Sequence, residues 1–131
     1  MIIEHIAIWT NDLEKLKDYY VKFFSGKSNQ KYRNPNTLFE SYFISFDSGC
    51  RLELMTNPDI KEKNSQANYT GIAHFAFEVE TKNEVDLKAN ELKIAGFPIL
   101  KGPRITGDGY YEFETLDIDG NKIEVTTKLK T

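Results

Sequence analysis

Two stretches of the chain alternate apolar with polar or small residues, and each carries a histidine on its polar side. In Gly71-Ile72-Ala73-His74-Phe75-Ala76-Phe77-Glu78-Val79-Glu80, successive side chains of a strand point to opposite faces. The pattern predicts Ala73, Phe75, Phe77 and Val79 on a core face, with Ile72, His74, Ala76 and Glu78 on the other. The N-terminal Ile3-Glu4-His5-Ile6-Ala7-Ile8-Trp9 repeats it, with Ile6 and Ile8 toward the core and His5, Ala7 and Trp9 away from it. These are the two histidines of the chain.

Helix signals follow each strand. Asn11-Asp12-Leu13-Glu14 and Thr81-Lys82-Asn83-Glu84 set an acceptor side chain three residues before a glutamate, which marks a capped helix start. Leu13, Leu16, Tyr20, Phe23 and Phe24 then recur at helical spacing up to a stop at Gly26, as do Val85, Ala89 and Leu92 up to Gly96. Beyond the first helix, Lys27 to Thr37 predicts a loop with one short irregular strand around Gln30 to Arg33. Strands at Phe39 to Phe46 and Cys50 to Thr56 follow, joined by Asp47-Ser48-Gly49. In the second half the pattern predicts a short strand at Pro98 to Lys101 and a glycine-rich loop at Gly102 to Gly109. Strands at Tyr110 to Leu116 and Lys122 to Lys128 then flank a hairpin at Asp117-Ile118-Asp119-Gly120-Asn121.

Both halves thus read strand, helix, strand, strand, strand. That is a duplicated supersecondary unit, not a solenoid array. The expected organisation is one α+β domain over 1–131, made of modules 1–56 and 71–131 joined by a polar linker at 57–70.

Composition narrows the function. A chain of 131 residues with 40% hydrophobic content can build a core. Seventeen basic against 20 acidic residues, with no basic stripe, argue against nucleic acid as a partner. No apolar run reaches the length of about 18 residues needed to span a bilayer, and Glu4 and His5 interrupt the apolar start, so a soluble cytoplasmic protein without a membrane partner is expected. Cys50, the single cysteine, is in phase with Leu52 and Leu54 and is expected to be buried.

Chemistry enters with the last strand of each half. Glu53 between Leu52 and Leu54, and Glu124 between Ile123 and Val125, fall on the side away from the core. Each half therefore offers one imidazole and one carboxylate on the face its helix does not cover. A lone strand histidine is more often structural, and a lone surface glutamate merely solvated. Four such residues repeated across two halves point instead to a divalent transition metal: zinc, nickel, cobalt, manganese or iron. Trp9, Tyr42, Phe46, Met55, Arg104, Tyr110 and Tyr111 are candidates to line an aromatic substrate pocket.

The motifs Glu4-His5-Ile6-Ala7, Arg51-Leu52-Glu53-Leu54-Met55, Gly71-Ile72-Ala73-His74 and Asp117 through Val125 resemble the vicinal oxygen chelate superfamily of glyoxalases, bleomycin resistance proteins and extradiol dioxygenases. Gly102-Pro103-Arg104 and Thr106 through Glu112 are similar to a glyoxalase-like branch of it. The resemblance implies βαβββ modules whose curved mixed sheet forms a cup, with helices on the outer face. It further implies one divalent metal held by His5, Glu53, His74 and Glu124, and a small-molecule substrate. Four such ligands resemble glyoxalase I of the bacterial type, which implies a lyase or isomerase. The chemistry this resemblance implies is abstraction of a proton beside a carbonyl to give an enediolate, with Glu53 or Glu124 expected to serve as the base. Where glyoxalase I has an arginine for the glutathione carboxylate, this chain has Trp9. A homodimer is expected, with each metal site built within one chain or across two. The alternatives are a non-catalytic binder of the bleomycin-binding type, a dioxygenase-type relative, and a metal site without a present reaction.

Overall fold

The computed structural model describes residues 1–62 and 70–130, and the chain divides into two units, Met1–Gln66 and Ala67–Thr131. Residues 63–69 of the expected linker lie outside the described residues. In the first unit β1 (His5–Trp9) leads into α1 (Leu13–Phe24), followed by β2 (Lys27–Ser28), β3 (Tyr32–Arg33), β4 (Glu40–Ser45) and β5 (Arg51–Thr56). The sheet runs β1-β5-β4-β2, with β3 also paired to β4. The second unit contains β6 (Phe75–Glu78), α2 (Lys82–Ile94), β7 (Ile99–Ile105), β8 (Tyr110–Leu116) and β9 (Lys122–Lys128), in the order β6-β9-β8-β7. In both units the first strand lies parallel to the last and the remaining pairs are antiparallel. The molecule is α+β, with two tandem modules of like topology. Among the described residues no helix is long and apolar enough to cross a membrane.

Helix starts follow the capping chemistry, with one shift. Thr81 and Glu84 form the expected reciprocal box. In α1 the cap is Asp12, which accepts from the Lys15 backbone at 3.1 Å. Glu14 is thereby too early to reach back, and its carboxylate meets Lys31 Nζ at 2.7 Å instead. The stop of α1 also moves. Ser25 takes the left-handed conformation (φ 56°), whereas Gly26 serves close packing, since a Cβ there would collide with Ile44 Cγ2.

The cores lie between helix and sheet within each unit. Leu16, Tyr20, Ile44 and Leu54 are fully buried in the first unit, and Leu92, Phe113, Ile123 and Val125 in the second. Each such side chain contributes roughly 1.5–3 kcal/mol by leaving water. Tyr19 is also buried, although the stripe read from spacing did not include it, and Phe24 is only partly covered.

Four expectations change. The single irregular strand around Gln30 to Arg33 is a pair of two-residue strands, β2 and β3. Four steps along the chain from Ser28 to Tyr32 face three from Ile44 back to Ser41, so the ladder must break, and the Asn29 side chain fills the gap by accepting from Phe43 N at 2.8 Å. The loop expected at Gly102 to Gly109 is mostly strand, because β7 continues to Ile105 through irregular pairing with β8. Ala73 is exposed, not core: β9 begins at Lys122 opposite His74's position, and the Asp117–Asn121 turn before it offers Ala73 no ladder partner. Cys50 is half-buried, standing just before β5.

Candidate metal-binding site

Strand register brings histidine and glutamate together twice. Across the parallel pair β1–β5, Ala7 faces Glu53, and across β6–β9, Ala76 faces Glu124. Each histidine stands two residues before that alanine, on the same face. A methyl side chain leaves the space between imidazole and carboxylate open. His5 Nε2 lies 3.8 Å from Glu53 Oε1, and His74 Nε2 lies 3.3 Å from Glu124 Oε2. The imidazoles are partly exposed, while the carboxylates retain only 18% and 16% of their side-chain exposure.

Two donors that each bind one ion at about 2.0–2.2 Å stand roughly 3.0–3.4 Å apart. The second pair has that separation, and the first needs a shift of a few tenths of an ångström. Imidazole nitrogen with carboxylate oxygen also suits the divalent transition ions expected from the sequence. Each pair therefore fits as half of a coordination set. Among the described residues no group of three or more His, Cys, Asp or Glu side chains gathers closely enough to hold an ion.

The surroundings of the pairs differ. Glu4 lies before His5 with Oε2 at 3.5 Å from Nδ1, and Arg51 grips both oxygens of Glu4 through Nε and Nη2. The hydrogen bond from Arg51 is the main reason that the Glu4 carboxyl is held below the usual carboxylate range. Arg51 also lies 4.0 Å over the Phe43 ring, whose centroid is 5.5 Å from that of His5 in an edge-to-face arrangement. Around Glu124, Glu114 stands directly opposite and Glu112 diagonally, with Arg104 across from Glu112. Burial, followed by the charge and hydrogen bond of Glu124, pushes the Glu112 carboxyl up.

The candidate pocket residues divide between the faces. Trp9 and Met55 pair across β1–β5 on the His5 side, and Arg104 and Tyr110 fall on the Glu124 side of their strands. Tyr42 and Tyr111 do not. Tyr42 is buried on the helix side, its hydroxyl donating to Glu14 at 2.9 Å, and Tyr111 donates to Asp86 of α2 at 2.6 Å. Phe46 lies beyond β4, next to Gly26 at the end of α1. The phase of Ile44 and Phe113, both core residues, already assigned Tyr42 and Tyr111 to the helix side.

That same phase places further side chains beside the two pairs. Phe43, Glu112 and Glu114 share the open face with the glutamates. So do Phe39 and Tyr32, which extend Trp9 into a cluster with centroid separations of 6.3 and 6.1 Å.

A family model described as the Glyoxalase/Bleomycin resistance protein/Dioxygenase superfamily matches residues 2–125, and the chain belongs to that superfamily. It is similar to YwkD of Bacillus subtilis (strain 168), with 30% identity over 112 residues that cover 85% of this chain and 86% of that protein. Among solved structures it is similar in fold to a glyoxalase family protein from Enterococcus faecalis, with TM-score 0.76, 22% identity, and coverage of 95% of each chain. The trypanothione-dependent glyoxalase I of Leishmania major has TM-score 0.78 and 21% identity, covering 97% of this chain and 86% of that one. At such identities the structural likeness establishes fold alone.

Proposed function

We propose that the protein is a divalent-metal-dependent lyase or isomerase of the glyoxalase type, and that His5, Glu53, His74 and Glu124 are its metal ligands. The observation that carries this reading is the repetition of one imidazole–carboxylate pair at equivalent register in both units. In a homodimer, the first pair of one subunit would meet the second pair of its partner, giving two equivalent sites about a twofold axis; closure within one chain is the other route. A bound ion would supply Lewis-acid polarisation of the substrate's carbonyl oxygen. Glu53 or Glu124 takes the proton from the carbon beside that carbonyl and returns it to the neighbouring carbon, so that atoms and charge balance over the cycle.

A second reading has support of its own. Trp9, Phe39 and Tyr32 form an aromatic cluster on the open face of the first unit, which would suit a non-catalytic binder of planar compounds.

The test is metal analysis of purified protein, loading with zinc, nickel, cobalt, manganese or iron, and assay against adducts of 2-oxoaldehydes with thiols. Turnover should require metal and fall in Glu53→Gln or Glu124→Gln. If both variants keep metal and full turnover, the assigned base is wrong. Tight binding of an aromatic compound by metal-free protein, without turnover, would favour the binder.

A further inference from the structure

His5 has two carboxylates within reach, one on each ring nitrogen. Nε2 faces Glu53 at 3.8 Å and Nδ1 faces Glu4 at 3.5 Å. The two acids are held very differently. Glu53 projects from inside the sheet, whereas Glu4 precedes β1 and its side chain is half-exposed. A half-exposed carboxylate has no fixed place unless something holds it, and Arg51 does so with two guanidinium nitrogens. The Arg51 backbone N–H also donates to the Glu4 carbonyl at 2.9 Å, which ties the two residues at both main chain and side chain. Phe43 completes the frame, under the guanidinium on one side and edge-to-face with the imidazole on the other.

A neutral imidazole has one N–H and one lone pair, and the partner of one nitrogen decides what the other can do. We propose that Glu4, clamped by Arg51, is a positioning residue for His5: it accepts the Nδ1 proton, leaving the Nε2 lone pair turned toward Glu53 and ready to ligate. The proposal rests on the reading of His5 as a ligand. Metal-ligating histidines gain orientation and basicity from such an outer carboxylate. The second unit lacks the device, because Ala73 stands where Glu4 stands in the first. The two histidines are therefore inequivalent despite their matching positions. His5 has a carboxylate beside each ring nitrogen, whereas the carboxylate beside His74 is Glu124, 3.3 Å from Nε2.

With two histidines in the chain, long-range proton–nitrogen NMR of the metal-free protein resolves the tautomers directly. In its neutral form His5 should carry its proton on Nδ1. Glu4→Ala should shift His5 toward the mixture of a free imidazole and leave His74 unchanged. Arg51→Met should shift His5 in the same direction, and Glu4→Gln, whose amide oxygen still accepts, should partly restore the wild-type signature. Zn²⁺ affinity of the full-length protein, by competition with a chelating dye, should fall roughly 10–100-fold in Glu4→Ala. A wild-type His5 protonated on Nε2, or a Glu4→Ala protein with unchanged tautomer or unchanged Zn²⁺ affinity, would overturn the proposal. If the wild-type protein takes up no Zn²⁺ while the NMR results are as expected, the ligand reading of His5 fails and its positioning by Glu4 stands.

Discussion

Ala7 lies directly across β1–β5 from Glu53, and Ala76 holds the corresponding place beside Glu124 across β6–β9. The small side chain is what allows an imidazole two residues earlier to reach the carboxylate. Ala7→Leu and Ala76→Leu should therefore crowd their pairs and weaken divalent metal binding by more than about tenfold. Both alanines are exposed, so urea denaturation should show stability within about 0.5 kcal/mol of wild type. Undiminished metal affinity in both variants would show that the pairs do not act as ligands.

Tyr42 and Tyr111 offer a contrast, because their hydroxyls face the helices. Tyr42→Phe removes a donor to Glu14 and should cost about 1–2 kcal/mol, and Tyr111→Phe, at a more exposed bond to Asp86, about 0.5–1 kcal/mol. Neither should change metal affinity. Loss of metal or substrate binding at unchanged stability would return these tyrosines to the pocket.

Glu14 predicts a pH dependence. Its carboxyl is lowered from 4.5, first by the hydrogen bond from Lys31 and also by that from Tyr42. A folded-state pKa below the unfolded value adds stability at pH values above the unfolded pKa and loses it as pH falls through the folded one. Wild type should thus exceed Glu14→Gln in stability at neutral pH, and the gap should close in acid below about 4.5. A gap independent of pH in denaturation curves would show that the charge of Glu14 has no part in it.

Gly102 and Gly120 both have positive φ, at 79° and 82°, yet they should tolerate alanine unequally. At Gly120 an added Cβ meets open space, and the cost is the left-handed backbone alone, about 1–2 kcal/mol. At Gly102 the Cβ would run into the Glu112 carbonyl oxygen and the Phe113 Cα of the neighbouring strand. Backbone cannot swing aside as a side chain can, so Gly102→Ala should cost about 2–4 kcal/mol in all. Equal midpoints for the two variants in urea would refute the close approach of β7 to β8.

Much of this molecule is determined locally. Alternation around His5 and His74, the caps at Asp12 and Thr81, and the repeated Leu-Glu-Leu and Ile-Glu-Val patterns specify two similar α+β modules, because strand and helix periods act over a few residues. They also assign His5, Glu53 and Glu124 to the open side. Tertiary structure decides what periodicity does not contain. Ladder length is one such matter: Ala73 lies outside β6 because β9 begins only at Lys122, and β7 outruns its expected end because β8 offers a partner as far as Tyr111. Choice of partner is another. Glu14, placed as half of a capping box by spacing, goes to Lys31 and Tyr42, and Glu4, unremarkable in sequence, is drawn to Arg51 across the β1–β5 pairing. Those contacts join residues far apart in the chain: the packing of α1 on β4 brings Glu14 to Tyr42 and Lys31, and the parallel register of β1 and β5 brings Glu4 to Arg51.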